Sequence, residues 1–186
     1  NAAITIYRQM ENGKQLRFFR FPFVEPCAII NIEHMFYTIR KGETALYLTV
    51  CQQLKHLSKD EFLVLRELCR TAKNLTNQAI YQVRQHYFEH SQYLPYEKNY
   101  AILKTSENYR LLNSNMAQQI LKEVDGSFKS FFGLLKLAKQ GKYPFSSCRL
   151  PKYLPKDGYA TLIVGFVRLN GNQFVLPYSV AYKKYH

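Results

Sequence analysis

From Ser58 to about Tyr87 neither glycine nor proline interrupts the chain, and Phe62, Leu65, Leu68, Ala72, Leu75, Ala79 and Val83 recur at helical spacing. Ser58-Lys59-Asp60-Glu61 opens this run with the form of a capping box, in which hydroxyl and carboxylate satisfy each other's exposed amides. The polar stretch from His90 to Pro95 ends the run, and a short helix is predicted from Tyr96 to about Lys104. Thr105-Ser106-Glu107-Asn108 reads as a further break. A second long helix is predicted from Asn113 or Ser114 to Lys139, stopped by Gly141. Its apolar set, Ala117, Ile120, Leu121, Val124, Phe128, Phe131, Phe132, Leu135 and Ala138, suits packing against the first long helix.

The flanks alternate differently. Ile4 to Tyr7 and Leu16 to Phe21 surround Glu11-Asn12-Gly13-Lys14, a hairpin signal, before Pro22 and Pro26 break the pattern. Ala45 to Val50 reads as another strand. Near the other end, Ala160 to Leu169 and Gln173 to Leu176 flank Asn170-Gly171, which has type I′ turn chemistry. Strands, a helical block, then strands predict an α+β protein with a helical domain inserted into a small β-domain. The first and last strands are then free to pair across the insertion.

The composition adds a direction. The chain has 186 residues, 47% hydrophobic and 21% charged, which excludes wholesale disorder. Lys and Arg number 26 against 13 Asp and Glu, a net charge of +13 that favours a polyanionic partner, nucleic acid before anionic membrane. No apolar run reaches the roughly 18 residues of a membrane span, and no leader pattern opens the chain, so no membrane partner is expected. Cys27, Cys51, Cys69 and Cys148 stand far apart without finger spacing, which argues against zinc and against a disulfide framework. Cys69 falls on the apolar helix face as a buried thiol, and a reducing cytoplasm is the simplest setting. His86 and His90 are one helical turn apart but lack a third ligand nearby.

The basic residues are patterned. Opposite the apolar face of the first long helix, Arg66, Arg70, Lys73, Asn77, Tyr81 and Arg84 follow one another in steps of three or four. A solvated face more often mixes signs. Here Asp60, Glu61 and Glu67 crowd the N-terminal turns, where the helix dipole favours them, and the stripe beyond is expected to contact phosphate. The second long helix carries Gln118, Lys122, Asp125, Lys129 and Lys136. Between them and the last strands, Pro144, Pro151 and Pro155 space Lys142, Arg149, Lys152 and Lys156 along an extended linker, either a path for a phosphate backbone or an ordinary surface connection. The sequence holds no P-loop, G-x-G-x-x-G, G-x-S-x-G or H-E-x-x-H, and no converging carboxylates, so catalysis within these residues is not expected.

Several blocks in order resemble the N-terminal half of the TnpB (OrfB) proteins of bacterial insertion sequences. They are Leu68 to Ala79, Val83 to Phe88, Leu112-Asn113-Ser114-Asn115-Met116-Ala117-Gln118-Gln119, Ser127 to Phe132, and Leu150 to Gly158. The resemblance covers about residues 46 to 186. It implies the binding half of an RNA-guided DNA endonuclease: a wedge β-barrel interrupted by a helical recognition domain. Guide RNA and a double-stranded DNA target are the implied partners, and a bacterial cytoplasm with nucleoid association is the implied location.

On this reading residues 45–57 begin the wedge, 58–141 form the recognition domain, and 142–186 supply the basic linker and the second part of the wedge. Residues 1–44 have no counterpart and form a strand-rich extension. Tyr96 and Gln118 match positions used to read the transposon-adjacent DNA motif, and Ser114 lies one turn before Gln118. The family's RuvC-like domain with its Mg2+ and its zinc ribbon lie beyond the matching region, so no cofactor is expected in this chain. Opening at Asn1 without Met and ending at His186, the chain looks like part of something longer. A nuclease-lacking DNA-binding regulator of the same ancestry is the alternative reading.

Overall fold

The computed structural model describes residues 4–6, 39–40, 45–46, 57–164, 168–170 and 173–185. The hairpin expected around Asn12-Gly13, the cysteines Cys27 and Cys51, and Tyr47 to Val50 of an expected strand lie outside them.

Helix α1 spans Lys59–His90. Its capping box forms as the sequence predicts: Glu61 N–H donates to Ser58 Oγ at 3.2 Å, and Ser58 N–H donates to Glu61 Oε2 at 2.8 Å. The helix runs one turn past the expected end and stops where Ser91 turns left-handed at φ 54°. Helix α2 follows over Tyr96–Leu103. A third, short helix, α3, Glu107–Leu111, occupies the stretch read as a break, capped by Ser106 Oγ accepting from Tyr109 N–H at 3.3 Å. Helix α4 spans Ser114–Lys139 with Asn113 as its N-cap. Gly141, at φ 72°, donates to Ala138 at 3.0 Å and terminates it, a left-handed position suited to glycine.

The apolar faces of α1 and α4 meet in one core. Leu75, Val83, Ile120, Leu121 and Phe128 are fully buried there, and Leu94, Leu103, Tyr109 and Leu112 close the side under α2 and α3. The strands are short: β1 Ile4–Ile6, β2 Ile39–Arg40, β3 Ala45–Leu46, β4 Leu162–Val164, β5 Arg168–Asn170 and β6 Gln173–Val175. They form three separate two-stranded ladders. β1 pairs in parallel with β4, and β2–β3 and β5–β6 are antiparallel. The helical block therefore does lie between strands that pair.

The split barrel expected from the sequence is not found among the described residues. The fold is α+β and rich in helix, but strands of two or three residues supply too few rungs to close a sheet on itself. All three residues of β4 are buried. Leu162 and Val164 join the helical core, and Ala160 N–H donates to the Cys69 carbonyl of α1 at 3.2 Å. Asn170 pairs with Gln173, so it is the last rung of the β5–β6 ladder, with Gly171 and Asn172 between the strands. The chain closes with helix α5, Val180–Tyr185, which alternation did not suggest. Ser179 Oγ accepts from Tyr182 N–H and donates to the Leu111 carbonyl, both at 2.9 Å, tying α5 to α3.

Candidate nucleic-acid interface

The cationic stripe of α1 was expected to contact phosphate, and the proline-spaced linker to be either a second phosphate path or an ordinary surface connection. The structure lays one on the other. Lys73 is only 6% exposed, and its ammonium donates to the Lys156 carbonyl at 2.7 Å. One turn on, Asn77 Nδ2 donates to the Leu154 carbonyl at 3.0 Å, and Leu154 N–H donates to Asn77 Oδ1 at 2.8 Å. Further along, the Arg84 guanidinium lies over the Tyr153 ring, 4.9 Å from its centroid. The linker thus runs antiparallel to α1, strapped along the stripe.

That placement sorts the expected phosphate contacts. Lys73 and Asn77 are occupied by the chain's own backbone, because an extended proline-rich segment leaves its carbonyls unpaired and α1 is where they find donors. Arg84 is half-buried against aromatic rings. Arg70 and Arg66, one and two turns before Lys73, stay exposed, as do Lys122, Arg149, Lys152 and the Lys156 side chain. None of these six makes an ion pair among the described residues. Lys129 is exposed but paired with Asp125 at 2.7 Å, and this pairing holds its ammonium above the usual lysine range.

Asp125, read from the sequence as one acid in a basic stripe, is a junction. Its carboxylate accepts from the Tyr93 hydroxyl and, at 3.1 Å, from Tyr96 N–H at the start of α2. Pro95 has no side chain to cap α2, so a carboxylate from α4 supplies the acceptor. Burial, followed by the Asp125 contact, pushes the Tyr93 phenol well above its ordinary value.

The junction fixes Tyr96, and Tyr96 begins a chain of rings. Tyr96 stacks on Tyr100 at 6.0 Å, and Tyr100 meets Tyr109 edge-on at 5.9 Å. Gln118, half-buried on α4, faces the Tyr109 phenol, where its amide offsets part of the burial that weakens the phenol's acidity. Two residues singled out in the sequence, Tyr96 and Gln118, are therefore joined through Tyr100 and Tyr109, which were not. Spacing of four between Tyr96 and Tyr100 is the signal that was available for the first. Ser114 is exposed one turn before Gln118.

Between α1, α4 and the linker lies an open groove of about 670 Å³. Ile80, Ile120, Val124 and Phe131 line it together with Glu123, Ser127, Arg149 and Lys152. Desolvation raises the Glu123 carboxyl there. Cys69 is buried, as its place on the helix face predicts, and burial pushes its thiol up to about 12. Among the described residues no three His, Cys, Asp or Glu side chains converge. No described helix is long and apolar enough to cross a membrane. No protein-family model, curated protein or solved structure matches the chain.

Proposed function

We propose that the chain is the nucleic-acid-binding half of a TnpB-like RNA-guided DNA endonuclease, holding guide RNA and reading a short DNA motif, with cleavage assigned to a domain outside this sequence. The observation that carries the reading is the meeting of Tyr96 and Gln118 at the two ends of one tyrosine chain. A primary amide is suited to pair bidentately with adenine, and a ring fixed through its own backbone by Asp125 is suited to pack on a base or meet a phosphate. The exposed cations Arg66, Arg70, Lys122, Arg149, Lys152 and Lys156, which make no ion pair among the described residues, supply sequence-independent attraction. The β1–β4 pairing, which brings together strands from either side of the helical block, is in keeping with a helical domain inserted between strands.

The test is binding of the purified protein to the right-end transcript of its own element and to duplexes carrying candidate motifs. Protein isolated at low salt is expected to carry RNA that high salt removes. Gln118→Ala is expected to reduce discrimination between motifs while sparing RNA affinity. Nucleic-acid-free protein at low salt that ignores the transcript would sink the reading. Motif-specific duplex binding without RNA would replace it with the DNA-binding regulator.

A further inference from the structure

One surface, where the strap meets the C-terminal turns of α1, lies outside the tyrosine chain. Arg84 sits against two rings, its Cζ 4.9 Å from the Tyr153 centroid and 5.9 Å from that of Phe88. Tyr81 is one turn earlier on the same side of α1. Despite their size these rings are left open: Tyr81 is 50% exposed, Phe88 58% and Tyr153 43%. Among the described residues Arg84 has no carboxylate within ion-pair distance, and it braces the rings.

We propose that Tyr81, Arg84, Phe88 and Tyr153 form a stacking platform for two or three unpaired bases of an RNA strand, a reading that rests on the nucleic-acid function above and adds a surface to it. The geometry suits this occupant. A helix rises about 1.5 Å per residue, so Tyr81 and Phe88 stand about 10 Å apart along the axis. Stacked bases step by about 3.4 Å, so that span takes about three of them. Base faces stack on aromatic rings and on guanidinium planes alike, and RNA loops and ends present bases splayed out for it. The net charge of +13 attracts the backbone that carries those bases, and a neutral or basic protein partner lacks that complementarity.

The experiment compares a labelled unstructured RNA strand with the same backbone lacking bases, by fluorescence anisotropy with the full chain. The base-bearing strand is expected to bind about tenfold tighter or more. Phe88→Ser with Tyr153→Ser is expected to abolish that difference, leaving affinity for the abasic strand unchanged. Equal binding of the two strands overturns the platform and leaves the proposed function standing; failure of both strands to bind overturns both. A double variant that keeps the difference also overturns the platform. If that variant melts early, Tyr81→Ser decides: it is expected to cut the difference by about threefold or more, and an unchanged ratio counts against the proposal.

Discussion

Asn77 pairs with both backbone groups of Leu154, its amide nitrogen 3.0 Å from the carbonyl and its amide oxygen 2.8 Å from the N–H. A side chain here does for the linker what a neighbouring strand would do. Asn77→Ala removes both bonds and leaves two backbone groups without partners, so it is expected to destabilise the protein by about 1–3 kcal/mol. It also frees the linker, and trypsin should then cut after Arg149, Lys152 and Lys156 faster than in the parent chain. Asn77→Asp keeps the acceptor but sets a carboxylate against the Leu154 carbonyl, and should be no better than Ala. Unchanged proteolysis in both variants would show that the strap does not depend on this pair.

Two cations of the same stripe are expected to behave oppositely. Lys73 is buried against the Lys156 carbonyl, and Arg70 is exposed. Lys73→Glu buries a carboxylate facing a carbonyl oxygen and is expected to cost about 3 kcal/mol or more. Lys73→Met removes a buried charge without leaving another, and should stay within about 1 kcal/mol of the parent. Urea melts distinguish them. Arg70→Glu should leave the melt unchanged but weaken RNA binding and reduce the salt dependence of log K by about one unit or more. If the salt slope is unaffected, Arg70 belongs to a solvated face.

The contrast between these two residues marks what the sequence carried. Both long helices were legible to within a turn, because Ser58 and Glu61 at one start, Asn113 at the other and Gly141 at an end act through local bonds. The short helix α3 was missed because Ser106, its cap, also suits a turn. Spacing put Lys73, Asn77 and Arg70 on one side of α1 but held no record of which segment covers that side. The strap is a contact between segments far apart in the chain, and periodicity speaks only for its own element. Asp125 was illegible for the same reason: the amide it caps belongs to a different helix. Tyr96 and Gln118 were singled out through resemblance; of the rings between them Tyr100 had a signal in its spacing from Tyr96, and Tyr109 emerges only in three dimensions.

Tyrosines give the fold an alkaline limit. Burial first, then contact with Asp125 for Tyr93 and with Glu67 for Tyr182, raises both phenols, the latter to about 12 from an ordinary 10. A raised folded-state value means that the neutral form is favoured by folding. The contribution is fully present below about pH 10 and is lost as pH rises through the folded values. The melting temperature is therefore expected to fall above pH 10, in step with phenolate absorbance. Tyr93→Phe should flatten that fall at the cost of the bond to Asp125. An equally steep fall in Tyr93→Phe would assign the effect to other groups.

The acid limit of α1 has the opposite sign. The Ser58 N–H donating to its carboxylate, and next the Ser58 side chain beside it, hold the Glu61 carboxyl below its ordinary 4.5. A depressed value means that folding favours the carboxylate, so its contribution is present above about pH 4.5 and disappears as pH falls through the folded value. Glu61→Gln keeps an acceptor for Ser58 N–H but loses the charge beside the helix N-terminus, and is expected to cost a few tenths of a kcal/mol at neutral pH. Ser58→Ala removes the hydroxyl cap and should cost about 1 kcal/mol. Thermal melts of the parent and Glu61→Gln at pH 7 and pH 3 test the assignment. The gap between them should close at the lower pH, and a gap that persists there would show that the carboxylate's charge contributes nothing to the cap.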